Sequence, residues 1–220
     1  PPRSSGAPLD LIAAAEMSRV TRLEPGSFEV ACWDLPATAR ATTGTPVMAA
    51  AAGHAPVETL ICLLESIGLD VLALDVGQAA LARALAPVSK GSGITVVVDL
   101  GWSAAQLIFV HDRSIVFQRS LFECGLRSLH VAIAEQFELP ADVAQYFMTR
   151  VGCPGGDSAS ADMHKRLSAL AHRHLEAIVA GLGVSTSYCN HRYPALPVEQ
   201  IILAGGGAAF ASATLGPALP

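Results

Sequence analysis

Two glycine turns at the ends of apolar runs hold the residues best placed to do chemistry. In ITVVVDLGWSA, residues 94–104, a β-branched run ends in Asp99, Leu100 and Gly101, with Ser103 two residues on. In VEQIILAGGGAAF, residues 198–210, an apolar run breaks into Gly205, Gly206 and Gly207, followed by Ala208. A turn leaving a strand points backbone N–H groups outward, and glycine lets that backbone approach an anion closely. An aspartate at the strand end can hold Mg²⁺ through water. This is the chemistry of phosphate handling. An Asp-x-Gly alone does not specify it, since Asp75-Val76-Gly77 has the same spacing and reads as an aspartate starting an ordinary helix. The order of the elements carries more weight than either turn.

Those elements can be read from periodicity and breakers. LDLIAAAEMSRV reads as a helix with Leu9, Ile12 and Met17 on a loose apolar face, and SFEVACWDLP as a strand stopped by Pro36. After the turn signal Thr43-Gly44, PVMAAAAG reads as a second strand. APVETLICLLESIGLD places Val57, Leu60, Leu64 and Ile67 at helical spacing and stops at Gly68, a C′ position. VLALDV is expected to return as a strand, and GQAALARALAPV to form a helix ended by Pro87. Lys90 to Gly93 form a short flexible joint, which separates a first block, residues 1–92, from a second, 93–220. In the second block, residues 94–121 are expected to form three consecutive strands with a polar turn at His111 to Arg113. A helix carrying Leu126, Leu129, Ile133 and Phe137 on one side comes next, then a helix behind Pro140. A loop from Cys153 to Ser160 leads to a long helix from about Ala161, and Ile201 to Leu203 form a strand of the same lobe. Helix propensity alone would end the long helix at Gly181 and Gly183, each costing about 1 kcal/mol against alanine.

Composition excludes several classes. The chain has 220 residues, 51% hydrophobic and 15% charged, which places it among globular proteins with one good-sized core or two small ones. A net charge of -5 without a dense Lys/Arg run gives no footprint for nucleic acid. The mean hydropathy is +0.44, yet charged residues, Gly or Pro break every apolar segment before the roughly 20 residues a bilayer requires. The N-terminal residues lack the basic and apolar regions of a signal peptide. Five cysteines without a C-x-x-C pair fit reduced thiols in a cytosol, most of them small core residues. His172 and His174 neighbour Cys189 and His191 in sequence, but the 172/174 spacing puts the two rings on different faces of a helix, against a metal site.

With these stretches in hand, the sequence resembles the actin-like ATPase superfamily, which includes actin, sugar kinases, heat-shock chaperone ATPases and the cell-division protein FtsA. It is most similar to the PilM family, the cytoplasmic platform proteins of type IV pilus assembly. Residues 57–85 are similar to the last helix and strand of that fold's small inserted subdomain with the crossover helix. Residues 96–125 are similar to the second phosphate motif and its meander, and residues 198–210 to the adenosine motif. The resemblance implies an α/β fold: an actin-like, ribonuclease H-like lobe carrying a small inserted α/β subdomain. It implies that Asp99, Gly101 and Ser103 cradle β/γ phosphates and Mg²⁺, with Asp99 reaching the metal through water. Gly205, Gly206, Gly207 and Ala208 would pack against adenosine, and Gly125 would lie near the ribose, Cys124 replacing the first glycine of a Phe-Gly-Gly turn.

The departures from the family shape the functional expectation. Where the family carries Ala-Glu-x-x-Lys on a helix touching the nucleoside, this chain has Ala144, Gln145, Tyr146, Phe147 and Met148. The first phosphate motif, expected before residue 1, and the segment beyond the adenosine motif are absent from it. No catalytic base stands at a matching position. The resemblance therefore implies a scaffold rather than an enzyme: a cytoplasmic body at the inner face of the membrane that docks the tail of a PilN-like inner-membrane protein, and in that family also meets an assembly motor ATPase. ATP and Mg²⁺ would be ligands of a reduced site. The competing reading is an FtsA-like ATP-binding or ATP-hydrolysing protein, with a sugar or acid kinase behind it. Ser185 and Tyr188 match a Ser-x-x-Tyr spacing in the family's continuous long helix, so the helix is expected to run through the glycines to about Asn190.

Overall fold

The computed structural model describes residues 8–37, 46–89, 91–150, 158–209 and 211. Its elements run α1 (Leu9–Thr21), β1 (Phe28–Asp34), β2 (Val47–Gly53), α2 (His54–Ser66), α3 (Gly77–Leu85), β3 (Ile94–Leu100), β4 (Ala105–His111), β5 (Ser114–Leu121), α4 (Leu126–Phe137), α5 (Ala141–Arg150), α6 (Ser158–Arg192) and β6 (Val198–Ala204). β1 and β2 form an antiparallel pair, and the larger sheet has the order β5-β4-β3-β6. In that sheet β3 is antiparallel to β4 and parallel to β6.

β3 is central and covered on both faces, which explains its unbroken apolar run. Ile94, Val96, Val98 and Leu100 join Leu107, Phe109 and the C-terminal half of α6, through Leu175, Ile178 and Cys189, in one core. Val97 points the other way, with Ile108, Val110 and Ile115, against Ala82 of α3 and the partly buried Trp33 and Met48. Trp33 also donates from Nε1 to the Ile115 carbonyl at 2.9 Å, tying the β1-β2 pair to the main sheet. A third cluster, Leu129, Ile133, Ala144, Met148, Leu167 and Leu170, binds α4, α5 and the N-terminal half of α6.

Local chemistry sets the turns. Asp112 and Arg113 form a two-residue loop between β4 and β5, both at positive φ, 46° and 65°. That is the mirror-image turn whose twist matches a hairpin, built here without glycine. α2 ends where it was expected to: Gly68 adopts φ 83°, its N–H donates to the Glu65 carbonyl, and the Leu69 N–H reaches Leu64. The register shift between β4 and β5 leaves Val116 without a cross-strand partner, and its carbonyl accepts from the buried Tyr193 hydroxyl at 3.4 Å.

Four sequence expectations need correction. Residues 69–76 do not form a strand; VLALDV is extended but pairs with no strand among the described residues, and Leu72 is 90% exposed. A strand needs a neighbour for its backbone donors and acceptors, and β-propensity supplies none. Asp75 does not cap α3: Val76 is the N-cap, while the Asp75 carboxylate accepts from the Val76 N–H and pairs with Arg83. The joint is tethered rather than free at its second half, because the Gly93 N–H donates to Glu199 Oε2 at 2.8 Å; Lys90 lies outside the described residues. The loop expected from Cys153 to Ser160 lies outside the described residues as far as residue 157, and α6 already begins at Ser158.

α6 runs unbroken for 35 residues, to Arg192, through both glycines. Gly181 explains itself by proximity: a β-carbon there would stand 2.7 Å from Leu121 Cδ1 in the core. Gly183 is exposed, with open space where a β-carbon would go. Gly183→Ala is therefore expected to raise unfolding stability by about 1 kcal/mol, and Gly181→Ala to lower it as Leu121 is displaced, in denaturant titrations of the two variants.

Among the described residues, Cys124 and Cys189 are buried, Cys32 is half-buried and Cys62 exposed. Burial pushes the Cys189 thiol up to about 12, against the smaller opposing pull of Arg192. Of these four, Cys62 is expected to react first with a thiol reagent at neutral pH, while Cys124 and Cys189 stay unmodified until the protein unfolds, which peptide mapping by mass spectrometry reads directly.

Candidate functional site

The pairing of β3 with β6 brings the two glycine turns together. Because the strands are parallel, with Asp99 opposite Ala204, both leave the sheet at the same edge and side by side. Asp99 sits at the end of β3 and is half-buried. Gly205 comes directly after Ala204 at φ 81°, and a β-carbon on it would overlap Asp99 Oδ1. Glycine is thus required there twice, by conformation and by the carboxylate beside it. Gly207 packs on Leu100 and Leu126, and its N–H donates to the Leu100 carbonyl at 3.0 Å.

The third glycine joins the same knot. Gly125 lies at the N-terminus of α4, and a β-carbon on it would fall 2.5 Å from both the Trp102 carbonyl oxygen and the Ser103 carbonyl carbon. Its freedom from a side chain lets α4 close on the 101–104 loop, so that the Leu126 N–H donates to Gly101 (3.0 Å) and the Arg127 N–H to Trp102 (2.9 Å). The Gly101 N–H turns inward to the Ala104 carbonyl at 3.2 Å. These bonds satisfy first-turn donors of α4 that would otherwise face solvent or an anion.

The arrangement leaves a smaller set of donors for a ligand. Among the described residues, the N–H groups of Trp102, Ser103 and Gly206 donate to no protein acceptor, and Ser103 and Gly206 are exposed with Gly206 open on its Cα side. Ala208 begins the next helical turn, its N–H returning to Gly205 at 3.1 Å. The Asp99 carboxylate, two loop amides and the open glycine suit a phosphate with a water-held cation in part. Cys124 contributes no thiolate, since burial, and then the Glu123 charge, raise its pKa.

Sequence reasoning passed over Trp102 and His130. Trp102 is 47% exposed on the loop beside Asp99, and its ring meets His130 of α4 at 5.4 Å between centroids. A tryptophan in a Gly-Trp-Ser turn was the available signal. On α5, Met148 packs into the apolar cluster with Leu129 and Ile133, while Gln145 is exposed. The residues aligned with the family's Glu and Lys therefore offer no charged side chain. His172, His174, Cys189 and His191 do not gather into a cluster that could hold a metal among the described residues.

No family model and no curated protein matches the chain. Solved structures do. A chain of the PilM-PilN type IV pilus biogenesis complex superposes with a TM-score of 0.67 and 22% identity, covering 96% of this chain and 61% of that one. The ethanolamine utilization protein EutJ from Carboxydothermus hydrogenoformans superposes at 0.45 and 17% identity, over 71% of this chain and 52% of its own. An archaeal actin homolog, solved in complex with ADP, stands at 0.40 and 20%, over 62% and 46%. The chain has the α/β fold of its pilus-complex neighbour and spans about three fifths of that neighbour's length.

The close approach of Asp99 to Gly205 separates two neighbouring glycines experimentally. Gly205→Ala is expected to destabilise the fold by at least about 1–2 kcal/mol, from positive φ alone, and more from the overlap with Asp99. Gly206→Ala should leave the melting temperature unchanged within a degree or so, because its β-carbon meets open space. Differential scanning calorimetry of the two variants checks the ordering.

Proposed function

We propose that this chain is the body of an actin-like scaffold at a type IV pilus inner-membrane assembly platform, docking the cytoplasmic tail of a membrane partner and retaining only a reduced nucleotide site. The observation that carries the reading is the superposition on a chain of the PilM-PilN complex along almost the whole of this one. Among the described residues, no helix is long and apolar enough to cross a membrane, which accords with attachment through a partner.

The small β1-β2-α2 unit offers a surface for such a tail. α2 buries none of its residues, and Leu60, Leu63, Ile67, Leu69 and Leu72 stand exposed along it and the extended segment after it. Residues 54–76 contain Glu58, Glu65, Asp70 and Asp75 and no lysine or arginine. An apolar strip with an acidic border favours an apolar segment flanked by cations, the composition common next to the cytoplasmic end of a membrane span.

The glycine turns support a residual nucleotide role. ATP with Mg²⁺ would supply the charge that the two turns face; Asp99, through water, and the N–H groups of Trp102, Ser103 and Gly206 are the groups that would hold it. Against strong binding stand Gln145 and Met148. Each hydrogen bond to a charged group is worth about 1.5 to 3 kcal/mol, so losing two weakens nucleoside binding about a hundredfold or more. An ATP-hydrolysing actin-like protein is the second reading, favoured by the juxtaposition of Asp99 with Gly205.

Titration calorimetry decides between them. The chain is expected to show no binding of Mg-ATP at micromolar concentration and to bind a cationic tail peptide of a pilus membrane protein, with Leu63→Asp and Leu72→Asp weakening the peptide. Micromolar ATP affinity together with indifference to every tail peptide would overturn the scaffold reading in favour of the ATPase.

A further inference from the structure

α6 passes from one core to another, and His174 stands at the seam. Leu170, four residues before it, belongs to the cluster with α4 and α5, while Leu175 and Ile178, just after it, belong to the sheet core. Ala171, Leu170 and Ile178 lie one helical turn from it, and all three are buried. Its ring hydrogen-bonds the Cys124 carbonyl in the turn Phe122–Cys124, directly before Gly125. Nε2 is shielded from solvent with no partner among the described residues, so that bond is made by Nδ1–H. Nε2 is left as a bare acceptor, which is uncommon for a buried polar atom.

The charges around the ring do not compensate it. Glu123 on the turn, Arg127 and Glu135 on α4, and Arg173 and Glu176 on α6 are exposed, and none pairs with His174 among the described residues. The Cys124 thiol stays neutral, raised by burial and then by Glu123. His130 of α4 is engaged with the Ala141 carbonyl at 2.8 Å and with the Trp102 ring. On the sheet side, β4 gives Ala105, Leu107 and Phe109 to the core shared with α6, and His111 at its end meets the Gly93 carbonyl at 3.2 Å. Arg119 of β5 is exposed.

We infer that His174 is a proton-sensitive brace: neutral, it holds the 122–125 turn against α6; protonated, it leaves the seam and frees that turn. Protonation puts a charge and a new donor on Nε2, where there is neither an acceptor nor a carboxylate. The ring reaches water only by swinging out, and the bond to Cys124 breaks as it does so. The effect passes on through Gly125, because the next two amides, Leu126 and Arg127, are the ones that seat α4 on Gly101 and Trp102. The glycine turns loosen last.

The sign of the pH dependence follows from the same geometry. Burial, opposed more weakly by the Cys124 carbonyl, holds the imidazole pKa below its ordinary value, so the unfolded chain takes the proton more readily than the folded one. The contribution of neutral His174 is complete above about pH 6.5 and is lost as the pH falls below it. One proton changes the unfolding constant by at most about tenfold per pH unit.

Denaturant titrations between pH 7.5 and 5.0 compare the intact chain with His174→Asn, which keeps a donor near the position of Nδ1 but does not titrate. The intact chain is expected to lose stability relative to the variant on acidification, the two unfolding constants diverging by up to about tenfold at pH 5.5. Protection of the Leu126 and Arg127 amides against hydrogen exchange, corrected for intrinsic rates, should fall with pH in the intact chain and hold in the variant. Ring ¹⁵N spectra of the intact chain should show the neutral tautomer protonated at Nδ1 and a His174 midpoint below that of an exposed histidine. A midpoint at or above the ordinary value, parallel stability profiles, or unchanged protection at Leu126 and Arg127 would each overturn the inference. The ring titration uses the unaltered chain, so it decides the matter even if the variant does not fold.

Discussion

The parallel pairing of β3 with β6 is the constraint on which the rest of the structure depends. β3 is reached locally, through the β3-β4-β5 meander, but β6 arrives only after the helices α4, α5 and α6, and its place beside β3 closes the sheet. Long-range closure of this kind costs chain entropy before it yields contacts. It is offset by burying β3 on both faces, where each fully buried Val, Ile or Leu contributes about 1.5–3 kcal/mol. The same register that buries Val96, Val97 and Val98 puts Asp99 opposite Ala204. The candidate site is thus a by-product of sheet closure: two strands that run the same way must end at the same edge, and each of them runs directly into glycine.

α6 makes that closure mechanically coherent. At 1.5 Å per residue its 35 residues span about 50 Å, and its two halves belong to different cores, one with α4 and α5 and one with the sheet. A rod shared by two cores couples them, since neither can shift without disturbing packing at both ends. Gly181 allows the rod to lie against Leu121, and Tyr193, just past its end, donates to the carbonyl left free by the register shift at Val116. Tyr188 stacks on Phe117, with ring centroids 4.9 Å apart, from the same helix end. The irregularities of helix and sheet therefore meet one another, which is how a close-packed interior accommodates them.

Much of this was legible in the sequence, and the reasons differ by element. The β-branched run at 94–100 announced a strand, and Gly68 announced a helix end, because strand propensity and positive φ leave direct marks on residue type. The continuity of α6 through Gly181 was not legible from propensity; the compensating contact with Leu121 is tertiary, and only the family resemblance pointed to it. The error at VLALDV has the opposite origin. Its alternation is that of a strand, but a strand is a relation between two segments, and no partner meets it among the described residues. Of the site residues, Asp99, Gly125, Gly205 and Gly207 do converge, whereas the stacking of Trp102 on His130 and the solitary Nε2 of His174 depend on distances between elements that no local pattern encodes.

The knot of glycine turns satisfies several of its own backbone donors. A phosphate cradle works by holding several N–H groups idle until an anion arrives, and idle buried donors cost stability. Here the Gly101, Leu126, Arg127 and Gly207 N–H groups are engaged with the carbonyls of Ala104, Gly101, Trp102 and Leu100. Each such bond stiffens the turns and leaves one fewer N–H group open to solvent. On α5, Met148 is buried in the apolar cluster with Leu129 and Ile133, so this helix is fixed to α4 by packing rather than by charge.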